Sequence, residues 1–148
     1  MNDYPLIDQL VSTFKSEGRI VIDPLTSVQT ARAAMALVDE HLGARRVTAL
    51  IYTHSHVDHF GGVRGVIDEA DVRAGTVRVI APAGFLEAAV SENVVAGNVM
   101  ARRATYMYGP LLPKGPRGHV AAGLGNGIPL LGNQGLIAPT EEIELTGT

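Results

Sequence analysis

The segment His54-Ser55-His56-Val57-Asp58-His59 places three imidazoles and one carboxylate within six consecutive residues. These are ligand types for zinc and neighbouring divalent metals. In an extended chain, side chains at i, i+2 and i+4 share a face, so His54, His56 and Asp58 are expected to converge on one point. His59 falls off that alternation. A turn into a helix at Asp58-His59 would swing its ring beside the others, and Gly61-Gly62 lets the backbone turn at close quarters. One catalytic zinc takes about three protein ligands plus water, so four candidates in one segment fit two metals better. Two divalent ions about 3.5–4 Å apart share a hydroxide, polarise an ester oxygen and stabilise a leaving group without a protein nucleophile. The competing reading is polar surface at a strand-to-helix turn, which suits a single histidine better than three.

The flanking elements must position this group. Arg19 to Ile22 is a β-branched run closed by Asp23-Pro24, where proline ends the ladder. Ser27 reads as an N-cap, followed by Ala31, Ala34, Met35, Val38 and Leu42 at helical spacing and Gly43 as the C′ residue, with the apolar face expected to pack on a sheet. Val47 to Tyr52 is apolar with little alternation, as in a strand covered on both faces. Two strands around a helix make a βαβ unit, and the metal-competent segment then leaves the carboxyl end of the second strand, where ligands gather in open α/β sheets. Val63, Val66, Ile67 and Ala70 predict a further helix, Val77 to Ile80 a third strand ended by Pro82, and Phe85 to Tyr108 two helices broken near Gly97-Asn98. Residues Pro110 to Asn133 are rich in glycine and proline and read as a loop, with a short strand expected near Leu136 to Ala138. A loop of that length is more often functional or covered by a partner than idle.

Composition removes several classes. Of 148 residues none is cysteine, which excludes a disulfide scaffold and a thiolate zinc finger and leaves imidazole and carboxylate as metal ligands. With 46% hydrophobic and 18% charged residues, the chain can bury a core, and residues 1–148 are expected to form a single α/β domain. Lys+Arg 12 against Asp+Glu 15 gives a net charge of −3, with the basic residues scattered, so no nucleic-acid footprint and no membrane-surface helix is expected. The apolar runs are too short to span a bilayer. The amino terminus has neither a basic nor an apolar leader region, so a chain made as given is expected to stay in the cytoplasm.

The signature HxHxDH, matched in full by His54, His56, Asp58 and His59, resembles the metallo-beta-lactamase superfamily. The flanking stretches Val21 to Ser27, Tyr52 to Gly65, Ala81 to Leu86, Ser91 to Val94, Ala96 to Asn98 and Arg102 to Gly109 look like its linear alkyl-sulfatase branch, from about Ile20 to Thr140. The resemblance implies an αββα sandwich, hydrolysis of organic sulfate esters by a hydroxide on two zinc ions, His54 and His56 on one metal, and Asp58 and His59 on the other. Asp58 would also accept a proton. Family members carry further acidic ligands and a histidine beyond Thr148, and no such role passes to Asp68, Glu69, Asp71, Glu87, Glu92, Glu141, Glu142 or Glu144. Residues 1–19 do not look like the family's entry, and the chain looks like roughly the first half of the sandwich. Either the missing carboxyl-terminal part or a second copy would cover its open face. Complete family members are often exported.

Outside the signature, Arg102, Arg103, Tyr106 and Tyr108 are a candidate sulfate-facing group, because guanidinium forks and phenol hydroxyls donate to oxyanions. The alternative is a solvated helix surface with packed tyrosines. His41 reads as a solvated helix residue, and His119 as loop surface or, alternatively, a substitute ligand. Glu92, Asn93 and Asn98 read as helix-break hydrogen bonds or as support behind the metal ligands. The expected reaction is therefore zinc-dependent cleavage of a small alkyl sulfate. Its rivals are a catalytically incomplete chain holding one metal or none, and a lactone or thioester hydrolase on the same fold.

Overall fold

In a computed structural model of the chain, residues 18–121 and 132–144 are described. The amino-terminal stretch up to residue 17, residues 122–131 of the Gly/Pro-rich segment and residues 145–148 lie outside the described residues. Strand β1 (Arg19–Ile22) ends where Asp23 and Leu25 take positive φ values of 53° and 65° around Pro24, conformations uncommon for residues with a Cβ. Helix α1 (Val28–Leu42) starts from a reciprocal cap, with the Thr30 amide donating to Ser27 Oγ and the Ser27 amide to Thr30 Oγ1, both at 3.3 Å. It ends at Gly43, whose φ of 79° favours glycine. Strands β2 (Val47–Ile51) and β3 (Arg78–Pro82) follow, and β4 (Glu141–Ile143) completes a parallel sheet of order β1-β2-β3-β4.

The α/β alternation read from the sequence is thus present, with particular differences. The run expected as one helix from Val63 is a 3-10 turn (Val63–Gly65) followed by α3 (Glu69–Arg73), while a short α2 (Val57–Phe60) precedes them. Val63, Ile67 and Val72 are buried, so their spacing serves the core and not one helical face. Helix α1 packs chiefly on that 3-10 turn through Ala31, and Leu42, read as part of its apolar face, is 72% exposed. Phe85 to Tyr108 divides into α4 (Phe85–Val90), a π-turn (Ser91–Val95) and α5 (Gly97–Tyr108). The expected strand at Leu136 to Ala138 is displaced to β4. Ile137 is instead a core plug whose carbonyl accepts from Tyr52, and Arg78 fixes β4 by a two-pronged bond to Glu141 at 2.6 and 2.5 Å. Among the described residues no helix is long and apolar enough to cross a membrane.

The core lies mainly on one face of the sheet, where Leu50, Val79 and Ala81 meet Val63, Ile67 and Phe85. The opposite face is covered at Ala49 but only in part at Ile51 and Ile80, so burial of β2 on both faces is incomplete. Tyr52, the residue after β2, is 0% exposed, stacks on Phe85 with ring centroids 4.6 Å apart, and meets Phe60 edge-on. Such pairs contribute about 0.5–1.5 kcal/mol beyond burial. They form the floor beneath the signature. Burial pushes the Tyr52 phenol above its ordinary value of 10.0. The folded chain keeps this proton where the unfolded chain releases it, so the stabilisation is whole below that pH and is lost as pH rises beyond it. Thermal melts should therefore fall more steeply above pH 10.0 for the native chain than for Tyr52→Phe, which at neutral pH strands the Ile137 carbonyl at a cost of about 1–3 kcal/mol. Parallel alkaline limbs would contradict this assignment.

Candidate metal centre

Two elements shape the signature. Strand β2 delivers Thr53 and His54 at its carboxyl edge, and His56, extended at φ −75° and ψ 140°, is the N-cap of α2. The chain therefore turns one residue after His56 and not at Asp58-His59, so the strand-like alternation stops before Asp58. The expected convergence of His54, His56 and Asp58 is replaced by a different grouping. The His54 ring lies between His56 and His59, with centroids 4.6 and 4.0 Å away. His54 Nε2 is 3.1 Å from His56 Nδ1, and His59 Nε2 is 3.4 Å from Asp58 Oδ2.

Behind these rings stands a carboxylate that the sequence reading used only as a strand stop. Asp23 Oδ2 accepts from His59 Nδ1 at 2.8 Å and from the Thr53 hydroxyl at 2.7 Å, while Oδ1 accepts from the Thr53 amide at 2.8 Å. Burial pushes the Asp23 carboxyl up, but the donors from Thr53 and His59 outweigh it and hold it below its ordinary value. The strand register explains the placement: Ile22 pairs with Ile51 in parallel, so the residues following β1 and β2 leave the same edge side by side. Parallel strands of a βαβ unit end together, but which residues beyond their ends meet is set by the register, which only the packed sheet fixes.

The hydrogen bonds fix the tautomers. Because Thr53 gives its proton to Asp23, its oxygen accepts from His54 Nδ1–H at 2.9 Å, which leaves the lone pair of His54 on Nε2. His59 likewise gives Nδ1–H to Asp23 and turns Nε2 toward Asp58. Two acceptors 3.4 Å apart need a cation or a proton between them. In a tetrahedral zinc site adjacent donors lie about 3.3 Å apart, so the His54–His56 and Asp58–His59 separations each fit one edge of such a site. No described group of three or more His, Asp or Glu is arranged to hold an ion, so the segment forms two half-cages.

The sequence profile of the metallo-beta-lactamase superfamily matches residues 10–140. The chain belongs to the metallo-beta-lactamase superfamily. Within it, the chain is 56% identical over 131 residues to a linear primary-alkylsulfatase of Pseudomonas sp., covering 88% of this chain and 19% of that protein. It is 47% identical over 125 residues to an alkyl/aryl-sulfatase of Saccharomyces cerevisiae, covering 84% and 19%. A solved stereoselective inverting sec-alkylsulfatase of Pseudomonas sp. superposes with a TM-score of 0.83 at 48% identity, covering 87% of this chain and 20% of that one. The chain thus spans about a fifth of the length of these alkylsulfatase relatives.

The remaining candidates of this superfamily member lie apart from the signature. Arg102, Arg103 and Tyr106 are exposed on α5 and Tyr108 is half-buried, and none has a hydrogen bond or ion pair to His54, His56, Asp58 or His59. Among the described residues, Arg103 reaches only Met100 Sδ, at 3.8 Å. Tyr106 is 87% exposed and is not a packed aromatic. His41 is exposed on α1, and His119 is half-buried in the loop, bridged to Lys114.

Proposed function

We propose that this chain carries the metal-gripping segment of a sulfate-ester hydrolase acting on alkyl sulfates. The observation that carries the reading is the inward lone pair of His59 opposite the Asp58 carboxylate, with the outer nitrogen of the same ring tied to Asp23. Histidines that bind metals are oriented by such an outer carboxylate. His54 and His56 would hold one zinc ion, and Asp58 and His59 a second. When bound, zinc supplies Lewis acidity toward an ester oxygen and lowers the pKa of water. Asp23 and Thr53 keep His54 and His59 in the tautomers that present Nε2, and Asp58, gripping through Oδ2, would keep its other carboxylate oxygen to accept a proton. Arg102, Arg103, Tyr106 and Tyr108 would meet the sulfate group only after α5 and the signature are brought together around substrate. The names of the relatives, all alkylsulfatases, favour a sulfate ester over a lactone or thioester.

A second reading is favoured by the absence of a three-donor group among the described residues: a chain that binds at most one metal weakly and turns nothing over. Native mass spectrometry with added zinc, paired with hydrolysis of a medium-chain alkyl sulfate before and after chelation, separates the two. Two tightly held ions with turnover that chelator removes are expected for the hydrolase. One weak ion and no turnover would replace it with the second reading.

A further inference from the structure

We infer that Glu92, carried by the π-turn, is the positioning carboxylate for His56 once an ion is bound, an inference that rests on the metal-centre reading above. His54 and His59 each have their outer ring nitrogen held, by Thr53 and Asp23 respectively. His56 is the third imidazole, and its outer nitrogen Nε2 lies 4.0 Å from Glu92 Oε2, too far for a hydrogen bond. The network gives the reason for that gap. Since His54 Nε2 is an acceptor, the 3.1 Å contact requires the proton of neutral His56 on Nδ1, so Nε2 faces Glu92 without a proton to share.

If His54 Nε2 and His56 Nδ1 were to hold an ion, both would give it their lone pairs. The single ring proton of His56 then resides on Nε2, facing the carboxylate, and a side-chain movement of about 1 Å closes the bond to ordinary length. Glu92 is already aimed: Ser55 Oγ donates to the same Oε2 at 3.2 Å. The adjacent Asn93 donates from Nδ2 to the Ser55 carbonyl at 3.1 Å and to Ala89 at 2.8 Å, tying the π-turn to the signature backbone between His54 and His56. The extra residue of a π-turn turns side chains that an uninterrupted α-helix would direct elsewhere, and such turns are frequent at functional sites. The three imidazoles would thus receive outer oxygens from three places: Thr53 beyond β2, Asp23 beyond β1, and Glu92 on the π-turn.

The test follows the His56 ring by 15N NMR in the full chain, with zinc titrated alone. On loading, the His56 proton should move from Nδ1 to Nε2 and exchange slowly with water. In Glu92→Ala that proton should exchange fast and zinc affinity should fall about 10–100-fold, while Glu92→Gln, which keeps an acceptor oxygen, should recover slow exchange and most of the affinity. His54 and His59 signals should not change between variants, which separates positioning from general loosening of the fold. Zinc uptake with unchanged affinity and unchanged Nε2–H exchange in Glu92→Ala would overturn the role of Glu92 alone. Failure of the native chain to take up zinc would overturn the metal-centre reading, and this inference with it.

Discussion

Gly62→Ala should cost this chain about 3 kcal/mol or more and abolish tight metal binding at the same time, because a Cβ there has nowhere to go. Placed on the existing backbone, it would sit 2.0 Å from the Pro24 carbonyl oxygen, 2.7 Å from Ala31 Cβ and 2.8 Å from the Ser27 carbonyl oxygen. The obstacle is backbone and cannot rotate away. Relief requires the β1–α1 connection to withdraw, and that connection holds Asp23 against His59 and Ser27 at the head of α1. The torsions at Gly62, φ −87° and ψ 1°, are open to any residue, so the penalty is contact and not strain. Gly97→Ala is the matched control, since nothing lies within 4 Å of its Cβ position and, as the first residue of α5, it should change stability little. Denaturant melts and zinc titrations of the two variants check this. Equal midpoints would show that the loop yields freely.

Asp23→Asn should weaken zinc binding about 10–100-fold while leaving the melting midpoint nearly in place. Asparagine tolerates the left-handed backbone that Asp23 adopts at φ 53° and can still accept from the Thr53 amide. It removes the charge that holds the His59 Nδ1 proton and that anchors the Thr53 hydroxyl beneath His54. Asp23→Ala loses the same contacts and adds backbone strain, so it should lose both affinity and stability. The comparison separates orienting the ligands from holding the turn. Zinc binding to Asp23→Asn as tight as to the native chain would show that the carboxylate orients nothing.

Several features here were visible in the residues because their causes are local. Ser27 and Thr30 sit three apart and cap α1 wherever it docks, and Pro24 and Pro82 end strands by lacking a donor. The Gly61-Gly62 pair was recognised as a close turn, but its reason lies outside the segment: at both positions a Cβ would strike the β1–α1 connection, at Thr26 and Pro24. Periodicity misled at Val63 to Ala70, where buried positions at helical spacing come from a turn and a short helix packed on one core. Glu141 and Glu142 carry no strand propensity, and β4 forms because Thr140 bonds Val79 and Arg78 clasps Glu141.

The sequence by itself determined the donor set, three imidazoles and a carboxylate within six residues, and its position at the carboxyl end of a buried strand, because spacing along a chain limits which side chains can meet. Only the tertiary structure decided how those donors pair and what orients them. Asp23 is 36 residues from His59, and Glu92 is 37 residues from Ser55. Such contacts follow from the parallel register of β1 on β2 and from the π-turn facing the signature. Neither is encoded in local spacing, since both arise only when separate elements bury their apolar faces against one another.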